Sequence, residues 1–430
     1  MKQFKILLLL YVFLSFGLIS AVLSQEKNLV YTIQIDGIIN PASANFIIDA
    51  IDRATKQDAQ CLIIQLDTPG GLLESTRIIV KEMLASKIPV VVYVSPGGAR
   101  AASAGTFITM AANIAVMAPG THIGAAHPVN MGGEKEDKTM SEKIVNDTVA
   151  FMKNIANTRG KNADWGIKAI TKSVSITEDE ALKLNVIDYI SPDIKTLLEM
   201  IDGKVVKLNG TTKTLKTKGV QPIPIEMSWR DKLLDTISNP TIAYMLLILG
   251  FWGIYFELSN PGSILPGVVG GIFLILAFYA MHMLPVNYAG LALIIFAIIL
   301  FIAEIKVVSH GLLAAGGIAS LLLGSLMLFQ SPEEYMRVSL SVIIPVVVVS
   351  AGFFVFAMTM AIRARLKKPT TGMEGLIGET GIAVTEINPE GKVSLHGEFW
   401  NAASDQPVQK GEKIQVIGGS NLKLKVKKST

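Results

Sequence analysis

Short apolar runs recur along the first part of the chain, at 30–35, 61–66, 90–94, 114–117 and 186–190. Between them lie stretches with helical spacing of apolar positions, at 42–53, 74–86 and 143–158. Continuous apolar runs suit strands buried on both faces, and their alternation with helices predicts β/α crossovers and a largely parallel sheet. The segment 204–221 turns polar and strand-like, with Asn209-Gly210 at a hairpin position, and Pro222 and Pro224 then mark a linker. The amphipathic stretch Trp229-Arg230-Asp231-Lys232-Leu233-Leu234 suits an anchor at a membrane interface.

Five apolar spans follow, at 240–258, 266–284, 291–309, 311–330 and 341–362. Each approaches the ~20 residues that cross ~30 Å of hydrocarbon. Arg363, Arg365, Lys367 and Lys368 cluster behind the last span and place that end in the cytoplasm. Five crossings then put the segment before the first span outside. The N-terminus agrees: Lys2 and Lys5 precede an apolar run at 6–23, with a cleavage position before Gln25, as in a secretory signal. Residues 370–430 alternate short apolar and polar positions between glycines, which predicts a small β-barrel of about five strands. The expected domains are a signal at 1–24, a soluble α/β domain at 25–202, and a linker and membrane-proximal segment at 203–239. A transmembrane domain at 240–368 and a barrel at 369–430 complete the chain.

Composition sharpens this picture. Half of the 430 residues are hydrophobic and 17% are charged, a balance that requires a bilayer for part of the chain. A net charge of +4 without a basic, aromatic-interleaved patch excludes nucleic acid as the expected partner. The one cysteine, Cys61, lies in an apolar run and reads as a buried structural thiol. No clustered ligand spacing suggests a metal, and no Walker-type loop suggests a nucleotide. No cofactor is expected.

Two glycine-rich loops follow two of the strands: Asp67-Thr68-Pro69-Gly70-Gly71, and Ser95-Pro96-Gly97-Gly98-Ala99-Arg100-Ala101-Ala102-Ser103-Ala104-Gly105. Acyl transfer needs a hydroxyl nucleophile beside backbone N–H groups that receive an oxyanion. Ser103, at the start of a helix and flanked by small residues, meets the first requirement, and the Gly70-Gly71 pair can supply a donor for the second. The plain alternative is an ordinary strand-to-helix turn with Ser103 as a helix cap.

The two loops in this order resemble the ClpP/crotonase superfamily. The whole chain is similar to the long form of the NfeD family, membrane-bound ClpP-class serine proteases. The likeness rests on the Asp67-to-Gly71 loop, on Gly98-Ala99-Arg100-Ala101-Ala102-Ser103-Ala104-Gly105, and on Met117-Ala118-Pro119-Gly120-Thr121-His122-Ile123-Gly124-Ala125. The multispan region and the terminal barrel also match. It implies a ClpP-like α/β domain, transmembrane helices and an OB-fold tail. It also implies a Ser/Lys dyad and oxyanion donors at the N–H groups of Gly71 and Ala104. The implied substrate is an apolar segment of a stomatin-like membrane protein, and the implied state is a homodimer or higher oligomer.

The base follows from the same likeness. The family pattern of Lys-Ile, then Asn, then an Ala-aromatic pair falls on Lys143-Ile144-Val145-Asn146 and Ala150-Phe151, which makes Lys143 the base. The competitor is His127, 24 residues after Ser103, a spacing similar to that of soluble ClpP proteases. His122 reads as structural, while His282 and His310 lie near membrane boundaries and His396 lies in the tail. The polar stretch 130–140 reads as a loop that covers the cleft. Glu257 and Glu304 sit near span ends, within reach of headgroup water. A membrane scaffold for a stomatin-like partner, with a weak or vestigial site, is the alternative function. The expected location is the plasma membrane, with membrane lipid as a partner, the protease domain extracytoplasmic and the barrel cytoplasmic.

Overall fold

The computed structural model describes residues 28–129, 138–259, 262, 264–307, 309, 311–331, 334–366 and 373–429. The signal segment, most of the 130–140 loop, His310, Lys367 and Lys368 lie outside the described residues. The strands are β1 (Val30–Asp36), β2 (Cys61–Asp67), β3 (Val90–Val94), β4 (Arg100–Ala102), β5 (Ile114–Met117), β6 (His122–Gly124), β7 (Ser175–Thr177) and β8 (Tyr189–Ile190). They are followed by β9 (Val205–Lys207), β10 (Thr212–Thr214) and β11 (Ile223–Pro224). The main sheet has the order β11-β1-β2-β3-β5-β8, and every adjacent pair in it is parallel.

The apolar runs supply two cores by simple alternation. Leu62, Ile64, Leu66, Val90, Val92 and Val94 face a core shared with the helices Pro41–Lys56, Leu73–Ala85 and Ala104–Ala111. Cys61, Ile63, Val91, Tyr93, Ile114 and Val116 face a second core closed by Leu197, Leu198, Val206 and Leu215. Each fully buried aliphatic side chain contributes about 1.5–3 kcal/mol. Burial pushes the Cys61 thiol up to about 12, only partly offset by Lys213, so it is an inert packing group, as its apolar run implied.

The segment read as a linker does more than connect. The hairpin β9–β10 covers the second face of the sheet through Val206 and Leu215, and β11 extends the sheet by pairing with β1. Pro224 is tolerated there because β11 is an edge strand. The helix Trp229–Ile237 follows, started by a reciprocal cap between Ser228 and Asp231. Asn40 Nδ2 donates to Asp235 Oδ1 at 2.8 Å, which ties the soluble domain to this membrane-proximal helix. Trp229 remains exposed, as an interfacial anchor requires.

Five apolar helices come next: Pro240–Ser259, Ile264–Met283, Tyr288–Lys306, Leu312–Met327 and Leu340–Leu366. Three of them are long and apolar enough to cross a membrane, and the third and fourth carry shorter apolar stretches. The first two pack closely because Gly253 has no side chain: a Cβ there would lie 2.8 Å from Gly270 Cα. The Glu257 side chain lies against Gly267, and its Oε2 is buried without a hydrogen-bond partner among the described residues.

The chain divides into two compact units, Met1–Val307 with Ala315–Val347, and Val308–Ala314 with Val348–Thr430. The second contains a closed barrel of β12 (Thr380–Ala383), β13 (Glu390–Leu395), β14 (Glu398–Ala403), β15 (Lys413–Ser420) and β16 (Lys423–Lys428). Its order is β12-β13-β14-β16-β15, with β14 and β16 parallel. Val393, Leu395, Ile414, Val416, Leu424 and Val426 fill it.

Candidate active site

The two glycine-rich loops leave the C-terminal ends of the neighbouring strands β2 and β3, the usual place for a site in a parallel sheet. They are joined to each other. Thr68 N–H donates to the Arg100 carbonyl at 2.8 Å, and Ala102 N–H donates to the Thr68 carbonyl at 3.1 Å. Gly105 lets the nucleophile helix approach: a Cβ there would lie 2.7 Å from Thr68 Cγ2. Ser103 is therefore held beside Gly70 and Gly71 by main-chain bonds.

Ser103 does not cap its helix. Its side chain makes no capping bond, and its backbone is held at φ 48° and ψ −109°. A left-handed φ at a non-glycine residue costs about 1–3 kcal/mol and persists only where the surroundings enforce it. Ser103 N–H donates to the Gly124 carbonyl at 3.0 Å, and the buried Thr106 hydroxyl reaches the carbonyls of Ala101 and Gly124 at 3.0 and 2.9 Å. This is a sharp strand-to-helix elbow that presents a hydroxyl outward. Among the described residues, Ser103 Oγ has no hydrogen-bond partner. Thr68 and Thr106 are supporting residues whose role the sequence does not show: Thr68 is read only as part of its loop, and the spacing of the two carries no signal.

Both expected oxyanion donors are open. Ala104 is the first residue of its helix, so its N–H has no acceptor within the helix. Gly71 bridges Ile39 through its neighbours: Ile39 N–H donates to the Gly70 carbonyl and Leu72 N–H to the Ile39 carbonyl. The Gly71 N–H is left without a protein acceptor among the described residues. Gly70, by contrast, spends its N–H on Thr68 Oγ1 at 3.0 Å. At Gly71 a Cβ would lie 2.6 Å from Ile39 N and would overlap its carbonyl. Gly71→Ala is accordingly expected to swing this N–H away and to lower kcat by ~100-fold or more, measured at saturating peptide with the fold checked by circular dichroism.

The helix Lys138–Arg159 packs across this region and begins before the segment predicted from the sequence. Phe151 stacks on Phe107 of the nucleophile helix with ring centroids 5.7 Å apart, and the Arg77 guanidinium lies 4.7 Å from the Phe151 centroid. Arg77 also pairs with Asp147. At the far end, Arg159 Nε donates to the Ala111 carbonyl at 2.7 Å and Nη2 to the Met83 carbonyl at 2.9 Å, closing the C-termini of two helices. Burial lowers its guanidinium to about 10.

The base candidates are placed differently. Lys143 is exposed, two turns before Phe151, with no ion pair or hydrogen bond among the described residues. The Asp147 carboxylate next to it is engaged by Arg77. His127 is half-buried, and its Nδ1–H donates to the Ile170 carbonyl at 2.8 Å, which leaves Nε2 as the bare nitrogen. Neither side chain is hydrogen-bonded to Ser103 in this state. His122 is exposed on β6. No group of three or more His, Cys, Asp or Glu is arranged to hold a metal among the described residues.

Three family models match the chain: the NfeD1b N-terminal domain over 29–217, the NfeD integral membrane domain over 241–360, and the NfeD-like C-terminal, partner-binding domain over 373–428. Membrane-bound protease PH1510 of Pyrococcus horikoshii is 39% identical over 418 residues, covering 93% of each chain. Membrane protein NfeD1b of Bacillus subtilis is 28% identical over 411 residues, 91% of each chain. A solved structure of the 1510-N membrane protease specific for a stomatin homolog from Pyrococcus horikoshii is 37% identical. It covers 50% of this chain and 100% of that one, with a TM-score of 0.44. With three domain models in order and 39% identity to PH1510 over 93% of both chains, this chain belongs to the NfeD family.

Proposed function

We propose that the chain is a membrane-anchored serine endopeptidase of the ClpP class that cleaves an apolar segment of a stomatin-like membrane protein. The observation that carries the reading is Ser103, strained at φ 48° with its hydroxyl unbonded, beside the open N–H groups of Gly71 and Ala104. The similarity to a relative named as a membrane-bound protease supports it, as does a C-terminal match described as partner-binding.

In the proposed reaction Ser103 Oγ attacks the scissile carbonyl while Lys143 Nζ takes its proton. The N–H groups of Gly71 and Ala104 receive the oxyanion, and the same proton then goes to the leaving amine. Water hydrolyses the acyl-enzyme with the base acting again. Lysine acts as a base only when uncharged, a form that desolvation favours. The exposed Lys143 therefore takes up this role when bound peptide covers it. His127 is the second reading of the base, favoured by its oriented ring with Nε2 bare.

The organisation proposed around this site has a signal at 1–24, a protease domain at 25–202 and a membrane-proximal segment at 203–239. A transmembrane domain of five crossings at 240–368 and a cytoplasmic barrel at 369–430 follow. The barrel order with parallel β14 and β16 supports an OB-fold. A homodimer or higher oligomer fits the family. The alternative is a scaffold for the stomatin-like partner. Purified full-length protein in detergent is expected to cleave a peptide copied from the apolar C-terminal segment of such a partner. Folded protein that binds this peptide and leaves it intact favours the scaffold.

A further inference from the structure

Tyr335 belongs to a single turn, Glu334–Met336, between the last two apolar helices, and its side chain enters the Ser103 site. The point where a Cβ of Gly70 would sit lies 2.5 Å from the Tyr335 hydroxyl oxygen, 2.8 Å from Ser103 Cβ and 3.2 Å from Ser103 Oγ. The space beside Gly70 is therefore filled, by the phenol and by the serine. Non-bonded heavy atoms pack at about 3.5–4.0 Å, so no further main chain fits between the phenol and Gly70.

A peptide in position for cleavage needs this space. Its carbonyl carbon has to come within about 3–3.5 Å of Ser103 Oγ, with its oxygen at the N–H groups of Gly71 and Ala104. The residues next to that carbonyl then run along Gly70-Gly71 on the side of Ser103, where the phenol lies. The turn that carries the phenol is held from the membrane side. Met336 and Val338 are buried, as are Leu328 and Phe329 at the end of the preceding helix. Ser339 N–H donates to Thr241 Oγ1 at 3.2 Å, Asn287 N–H to the Leu328 carbonyl at 2.9 Å, and Asn287 Nδ2 to Gln330 Oε1 at 3.2 Å. Thr241 and Asn287 stand at the starts of the first and third apolar helices. The N–H and carbonyl of Gly70 are engaged by Thr68 and Ile39, so the phenol meets this glycine by packing.

We propose that Tyr335 is an autoinhibitory plug: the membrane region inserts its phenol beside Gly70 and Ser103, and a peptide gains the site only when the turn withdraws. The inference rests on the serine-protease reading. Peptide and phenol compete for one place, so the fraction of molecules with the turn withdrawn sets the apparent affinity for peptide. Because the turn is tied to the apolar helices, their arrangement in the bilayer governs access to a nucleophile that lies outside it.

The test uses full-length protein in detergent as wild type, Tyr335→Ala and Tyr335→Phe, with thermal melting to confirm the fold. The readouts are the rate at which a fluorophosphonate labels Ser103, and kcat and KM for an apolar peptide. Tyr335→Ala removes the plug and is expected to label ~10-fold faster and to lower KM by ~10-fold. Its kcat should stay within about twofold, because saturating peptide displaces the phenol in wild type as well. Tyr335→Phe removes only the oxygen that touches Gly70 and should shift both readouts in the same direction by about threefold. Labelling and KM equal to wild type in both variants, or slower labelling with raised KM, overturn the plug and leave the serine nucleophile standing. Folded Tyr335→Ala that carries no label on Ser103 removes the serine reading and the plug with it.

Discussion

Ser103→Ala is expected to lower peptide cleavage by ~10,000-fold or more, down to the residue of catalysis that binding and the oxyanion donors supply. The loss is chemical rather than structural. Ser103 Oγ holds nothing else in place among the described residues, and the elbow is fixed by its N–H to Gly124 and by the Thr106 hydroxyl. Alanine inherits the same strained φ of 48°, so its thermal midpoint should match that of wild type. Glycine does not. Ser103→Gly should be equally inactive and yet more stable, by about 1 kcal/mol or a few degrees in Tm, because glycine adopts this backbone without strain. Stabilisation on removing a side chain is the mark of a residue retained for chemistry. Parallel calorimetry and peptide assays on the three proteins check both parts.

Lys143→Ala is expected to reduce cleavage by ~1,000-fold or more, while His127→Ala stays within about tenfold of wild type. Lys143→Arg should not rescue, because a guanidinium remains charged and cannot accept the serine proton. Lys143 is exposed and unpaired among the described residues, so its removal should leave stability unchanged. His127→Ala should instead lower stability by about 1 kcal/mol, since it leaves the Ile170 carbonyl without its donor. The reverse pattern of activities, with the histidine essential and the lysine dispensable, moves the mechanism to a Ser/His type.

Much of this architecture is legible in the sequence because it follows from alternation and length. The runs around Cys61-Leu62-Ile63-Ile64 and Val90-Val91-Val92 send successive residues to opposite cores, which is why they read as strands buried on both faces. The five apolar helices fall where the hydropathy places them, and among the described residues three are long and apolar enough for a crossing. The strand β11 escaped because two prolines and a polar neighbourhood conceal an edge strand, whose pairing depends on β1, far away in sequence. The hairpin β9–β10 forms around Asn209-Gly210 as expected, but its covering of the second core escaped, because Val206 and Leu215 are too few apolar positions to announce one.

The site divides in the same way. Ser103 and Gly71 stand out because an elbow and an open N–H demand small residues in a fixed local order, and local order is what a sequence displays. Thr106, Thr68 and Arg159 act through backbone carbonyls brought together only by the fold.

Peptide mapping by mass spectrometry, after exposure of the full-length protein to a fluorophosphonate, decides whether Ser103 is a nucleophile. A single phosphonyl group on Ser103, with cleavage lost in proportion to labelling, is the expected result. Folded protein that stays unlabelled, or that carries the group on another serine while cleavage persists, contradicts it.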